Sequence, residues 1–165
     1  MFARYFVEIP LSTERVEHLL TLEPDSWLPG LAEHANRRGD ELLADVGFGE
    51  KIRVAREVAI TVGAPVRAGT KTLLPLRWVP SGGAGLFPSL DADLEIAPLG
   101  PGRVQLAMSA RYAPPLKAVG RVIDRVVLFR VAEATLKDFL DGVAEAVMAL
   151  EHAGAPIGEA SKLTS

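Results

Sequence analysis

The sequence predicts an α+β fold: a curved antiparallel sheet with two short helices near its start and one long C-terminal helix packed across it. Three observations carry that expectation. A single alternating segment, Phe2 to Ile9, precedes two short helical patterns. Apolar and polar residues then alternate from about residue 41 to 113, the period of half-buried strands. After Pro114-Pro115 apolar residues recur at three- and four-residue steps to about residue 152, the period of an amphipathic helix.

In the first segment Ala3, Tyr5, Val7 and Ile9 share one side, and Arg4 and Glu8 the other. Pro10 ends it, because proline offers the ladder no donor. Ser12 or Thr13 can cap a helix carrying Val16, Leu19, Leu20 and Leu22. Pro24 stops that helix. Pro29-Gly30 then restricts the next piece to a broken or very short helix anchored by Trp27, Leu28 and Leu31.

Within the alternating region, Leu42, Ala44 and Val46 mark one strand. Ile52, Val54, Val58, Ile60 and Val62 share a face of a longer one, and Thr72, Leu74, Leu76 and Trp78 a face of the next. Pro75 implies that this last strand lies at an edge or a bulge. The clearest pair follows. Leu90, Ala92, Leu94 and Ile96 oppose Asp91, Asp93 and Glu95, while Val104, Leu106, Met108, Ala110 and Tyr112 oppose Arg103, Gln105 and Arg111. Pro98-Leu99-Gly100-Pro101-Gly102 between them is turn chemistry. Only a register that pairs even with even keeps both apolar faces together, and one such register sets Asp91 opposite Arg111. Short turns between successive strands imply an antiparallel meander with one buried face.

The helical pattern runs from about Leu116 to His152, roughly 55 Å at 1.5 Å per residue. A globule of this size has a radius of gyration of about 15 Å, so the helix must cross the whole protein along the sheet. Glu133, Lys137 and Asp141 form i,i+4 partners on its wetter side. Gly154, Pro156 and Gly158 end it. The expected organisation is one domain over residues 1–152 and a loose tail over 153–165.

Composition agrees with a single globular domain. The chain has 165 residues, 48% hydrophobic and 24% charged, with a net charge of -3. At that length roughly 70% of the unfolded surface is buried on folding, so no metal or disulfide is needed. The charge lacks the basic footprint of a nucleic-acid binder. Without cysteine there is no disulfide framework, thiol nucleophile or cysteine-based zinc site. No apolar run approaches the roughly 18 residues of a membrane span, and the start lacks a signal-peptide pattern. A cytoplasmic location is expected.

Two stretches carry a family resemblance: Phe6-Val7-Glu8-Ile9-Pro10 with the short helix after it, and the segment from Tyr112 to Phe139. In the second, Arg111-Tyr112-Ala113-Pro114-Pro115-Leu116 leads into Val131-Ala132-Glu133-Ala134-Thr135-Leu136-Lys137-Asp138-Phe139-Leu140. This order resembles the START-like superfamily, also called the helix-grip or SRPBCC fold, and within it the polyketide cyclase/dehydrase-like actinobacterial members. The resemblance covers almost the whole chain. It implies a cleft between sheet and long helix that holds an apolar or amphipathic small molecule, such as a lipid or polyketide-like compound. Only some members of that superfamily are enzymes.

The cleft candidates are Arg56, Trp78, Phe87, Met108, Tyr112, Phe129 and Leu136. Trp78, Met108, Tyr112, Phe129 and Leu136 suit cleft walls or core equally, since aromatics and methionine bury area without demanding a partner. Arg56 shares the parity of Val54 and Val58. A guanidinium there either turns outward at a bulge or reaches inward to hold a ligand carboxylate. Arg77 poses the same question more weakly. The run Pro80-Ser81-Gly82-Gly83-Ala84-Gly85 matches neither GxGxxG nor a P-loop. It reads as a hairpin loop, with Leu86 and Phe87 as the apolar tip of a lip if it covers the cleft.

His18, His34 and His152 have no metal-ligand spacing, and Asp91, Asp93 and Glu95 read as a solvated strand face. No metal or cofactor is expected. No serine, lysine or carboxylate pair has the spacing of a nucleophile with its base, so catalytic residues stay unassigned and non-catalytic binding is favoured. Two alternatives remain. One is a cyclase, aromatase or dehydratase-type enzyme. The other is an interaction module or homodimer using the apolar arc of the long helix, widened by Ile123, Val127, Leu128 and Val131.

Overall fold

In a computed structural model, residues 2–22, 24, 27–28, 31, 57–81, 90–112 and 125–154 are described. The first alternating segment is β1 (Phe2–Ile9), and it ends where Pro10 begins. Helix α1 (Thr13–Leu22) starts at Ser12, whose Oγ accepts from the Arg15 amide at 3.3 Å and whose carbonyl accepts from Val16 at 3.1 Å. This is the N-cap that Ser12 offered in sequence. Val16 and Leu20, one turn apart, are fully buried. The described residues of the next stretch, Pro24, Trp27, Leu28 and Leu31, are helical. Trp27 anchors that stretch by donating from Nε1 to the Leu20 carbonyl at 3.3 Å.

The meander follows as β2 (Glu57–Val62), β3 (Val66–Ala68), β4 (Lys71–Ser81), β5 (Leu90–Gly100) and β6 (Arg103–Tyr112). With β1 these form one antiparallel sheet in the order β1-β6-β5-β4-β2, with β3 also paired to β4. The β5–β6 hairpin turns at Pro101-Gly102, where Gly102 has φ of 66°, a left-handed conformation that glycine adopts without a steric penalty. Its register sets Asp91 opposite Arg111 and Leu94 opposite Met108, the even-with-even pairing expected.

Pro75 occupies a different place from the edge of the sheet. Strand β4 is interior, between β5 and the β2/β3 pair. Val62 pairs with Leu76 and Val66 with Leu73, so residues 63–65 face only 74 and 75. Of the two sequence alternatives, the irregularity is therefore the one realised. Gly63 donates to the Pro75 carbonyl at 2.7 Å. A strand residue aims N and O at the same neighbour, so the missing Pro75 donor faces this break and no bond to β5 is lost.

Helix α2 (Arg125–Gly154) is a 30-residue rod, about 45 Å long. Positions 116–124 of the expected helix lie outside the described residues, as do the expected strand at 42–46 and the tail beyond Gly154. Leu136, Phe139, Leu140, Val143 and Val147 form its buried stripe. It leans mainly on β1 and β6 rather than spreading over all strands, and it also touches α1.

Polar contacts fasten α1 between sheet and helix. Thr72 is a buried polar residue, and its hydroxyl donates to Glu17 on α1. Glu17 also receives Arg67 Nη1 at 3.0 Å, and Arg15 Nε reaches Glu151 on α2 at 2.5 Å.

Two substitutions separate packing from tethering. Leu140→Ala empties a fully buried position and should cost about 2–5 kcal/mol in urea unfolding. Thr72→Val removes one hydrogen bond to a carboxylate that keeps Arg67, and should cost about 1 kcal/mol, or roughly 2–4 °C in Tm.

Candidate functional site

The registers arrange the inner sheet face in rows running across strands. At one end Thr72, Ile96, Leu106 and Val7 stand abreast, followed by Val104 and Ile9. Here the side chains of α1 and the C-terminal half of α2 complete the core, and Val16, Leu20, Ile96, Val104, Leu106, Leu140, Val143 and Val147 have no solvent contact. The next row is Leu74, Leu94, Met108 and Tyr5. Packing at this end is that of a sealed core.

Toward the other end the surface changes. The following row is Val62, Leu76, Ala92, Ala110 and Ala3, with three alanines on adjacent strands. Strands lie about 4.8 Å apart, so these methyl groups form a shallow trough about 10 Å wide, and all three are buried. The last row is Ile60, Trp78, Leu90 and Tyr112, in register across four strands. Ile60 and Leu90 are half-buried. From α2, Leu136 lines a groove together with Ala3, and the Phe139 ring meets Trp78 with centroids 5.8 Å apart at 53°, a favourable tilted contact.

Three of the sequence candidates belong to the one apolar core: Trp78 and Leu136 at this end, and Met108, 1% exposed, in the sealed row beside it. Tyr112 is aligned with Leu90 by backbone register. The side chains of Tyr112 and Phe129, and the residues Arg56 and Phe87, lie outside the described residues. Arg77 faces outward, with Nε 3.8 Å from Asp91. Sequence reasoning left Phe139 out of the candidates; the available signal was its position three residues after Leu136 on the same helical face. His18 and His152 are exposed, the latter donating from Nδ1 to the Met148 carbonyl at 2.5 Å. Among the described residues no group of His, Asp or Glu could hold a metal ion.

Tyr5 is the ionisable side chain described on this apolar face, and it sits at its margin. Lys137 lies over its ring at 5.4 Å and bonds Asp141 at 2.5 Å. The hydrogen bond to Asp141, and then that carboxylate's charge, raise the Lys137 pKa above its ordinary 10.5. Charged Lys137 is thereby favoured in the folded chain. The linkage is in full force below pH 10.5 and is lost as pH rises through the raised value.

The Trp78–Phe139 contact can be tested directly. Phe139→Ala should lower stability by about 3–5 kcal/mol and weaken the near-ultraviolet circular dichroism of Trp78, with that of Trp27 retained. A Trp78→Phe background assigns the signal.

No protein-family model matches the sequence, and no curated relative matches it. Solved structures do. A conserved protein from Geobacillus kaustophilus aligns with 90% of this chain and 96% of its own, at 14% identity and a TM-score of 0.51. A START superfamily protein from Mycobacterium smegmatis aligns with 90% of this chain and 98% of its own, at 15% identity and a TM-score of 0.50. At identities this low the likeness is one of fold alone.

Proposed function

We propose that this chain, which has the START-like helix-grip fold, binds an apolar or amphipathic small molecule between the inner sheet face and α2, at the row Ile60–Trp78–Leu90–Tyr112. One observation carries the reading. Along a single apolar face large aliphatic side chains give way to three buried alanines and then to half-buried Ile60 and Leu90. A face built only to close a core has no need of that gradient.

Binding would be driven by desolvation. Covering 150–250 Å² of apolar surface is worth about 4–6 kcal/mol before ordering costs. Trp78, Met108, Leu136 and Phe139 would supply walls, with Phe129 and Phe87 completing them. Arg56, adjacent to the first residue of β2, would hold a ligand carboxylate by charge-assisted hydrogen bonds, and Tyr112 would set orientation. A buried apolar site with a few polar groups at its mouth is the usual form of a small-molecule pocket. Among the described residues no helix is long and apolar enough to cross a membrane, and the reading places the protein in the cytoplasm as a carrier.

Native mass spectrometry of the purified protein, followed by solvent extraction, tests for a retained ligand and identifies its class. A direct probe is a brominated fatty acid, whose heavy atoms quench only an indole they touch. The wild-type protein should show saturable quenching that disappears in Trp78→Phe, where Trp27 remains. Ala110→Phe, which fills the trough, should weaken probe binding at least tenfold. Quenching that persists in Trp78→Phe, or an affinity unchanged by a folded Ala110→Phe variant, would overturn the assignment.

A further inference from the structure

Among the described residues the sheet has two free edges, and they are built differently. One is formed by β2 and β3, interrupted at residues 63–65 and ending in a strand of three residues. Breaks and short strands are ordinary protection against pairing with another chain. The other edge is β1, eight residues paired only to β6, with neither proline nor glycine within it. Its outward side chains are Phe2, Arg4, Phe6 and Glu8. Phe2 and Phe6 are 60% and 56% exposed, the most exposed large apolar side chains described. A groove of about 340 Å³ lined by Arg4, Tyr5, Arg130, Glu133 and Lys137 runs along this edge, between β1 and α2.

We propose that the chain pairs with a second copy of itself through this edge, β1 against β1, antiparallel about a two-fold axis at Phe6. The strand's own side chains select that register. With Phe6 opposite Phe6 of the second copy, Arg4 meets Glu8 on each side of the axis and Phe2 meets Pro10. On the inner face Tyr5 meets Val7 and Ala3 meets Ile9. Opposite charges and apolar pairs directly across strands are stabilising.

Neighbouring registers are worse. An axis at Tyr5 sets Arg4 against Phe6 and Glu8 against Phe2, an axis at Arg4 opposes like charges, and an axis at Val7 sets Phe6 against Glu8. Arg4 and Glu8 already contact Glu95 and Arg103, yet their side chains stay 48% and 47% exposed, which leaves room for a second partner. The two-fold axis joins both β1 edges and closes the assembly, so it does not propagate into a fibre.

The absence of cysteine from the sequence lets single-cysteine variants report the register. Light scattering of the intact chain should give twice 17.6 kDa. In the proposed pairing residue 6 faces itself with Cα atoms about 4.5–5.5 Å apart, within disulfide range. Under mild oxidation Phe6→Cys should therefore crosslink to itself, whereas Phe2→Cys and Glu8→Cys should not. A mixture of Arg4→Cys and Glu8→Cys should crosslink between the two variants. Because Phe6→Cys removes an apolar contact, charge reversal supplies an independent test. Arg4→Glu should weaken the dimer by roughly tenfold, and adding Glu8→Arg should restore it. A 17.6 kDa species throughout the accessible concentration range would overturn the proposal. So would a dimer whose crosslinks follow any other register.

Discussion

The register of the β5–β6 hairpin is the constraint on which the rest of the structure depends. Gly100 and Gly102 take positive φ at the turn and bring Arg103 opposite Gly100, with one irregularity between Pro98 and Gly100. From there the even residues 92–96 and 104–110 face inward. A slip of one residue would move Leu94, Ile96, Leu106 and Met108 to the face that carries Asp91, Asp93, Ser109 and Arg111. Strand β1 then sets its odd residues against the even residues of β6, while β4 pairs even with even on β5. The apolar rows, the sealed core and the alanine trough all follow from that one alignment.

A straight helix cannot follow a twisted sheet along its whole width. Helix α2 settles on β1 and β6, and its Phe139 ring meets Trp78 on β4. The two ends of the resulting interior are handled differently. At one, α1 wedges between sheet and helix and is tied by Glu17 to Thr72 and Arg67 and by Arg15 to Glu151. Because α1 fills that end, the sheet there needs only large aliphatic residues. At the other end side chains shrink to alanine on three strands, and α2 contributes Leu136 and Phe139.

Strand β1 links the binding end to the outside. Its odd residues, Ala3 and Tyr5, border the trough and the Lys137–Asp141 pair, while its even residues present aromatic rings and charges to solvent. On the outer face Glu95 of β5 gathers Lys71 from the neighbouring β4 and, across β6, Arg4 from β1. Such exposed pairs contribute little stability individually.

The sequence by itself determined the features that are local in the chain. Alternation over 90–96 and 104–112 set which residues face inward and allowed Asp91 opposite Arg111, because side-chain direction has a period of two wherever a strand forms. A cap at Ser12 or Thr13 was legible from residue type and spacing, and Trp27, Leu28 and Leu31 were legible as anchors beside Pro29-Gly30. The tertiary structure alone decided which strands are neighbours and where the helix rests. Pro75 reads as an edge or a bulge in isolation, and only the partners on both sides of β4 show that it lies at a break in an interior ladder. Arg77 was ambiguous until that ladder set it beside Asp91 on the outer face. Phe139 belongs to an evident helical stripe, but its contact with Trp78 spans 61 residues of sequence and depends on where α2 lies over the sheet. Parity is a property of consecutive residues; the meeting of distant faces is settled only by packing.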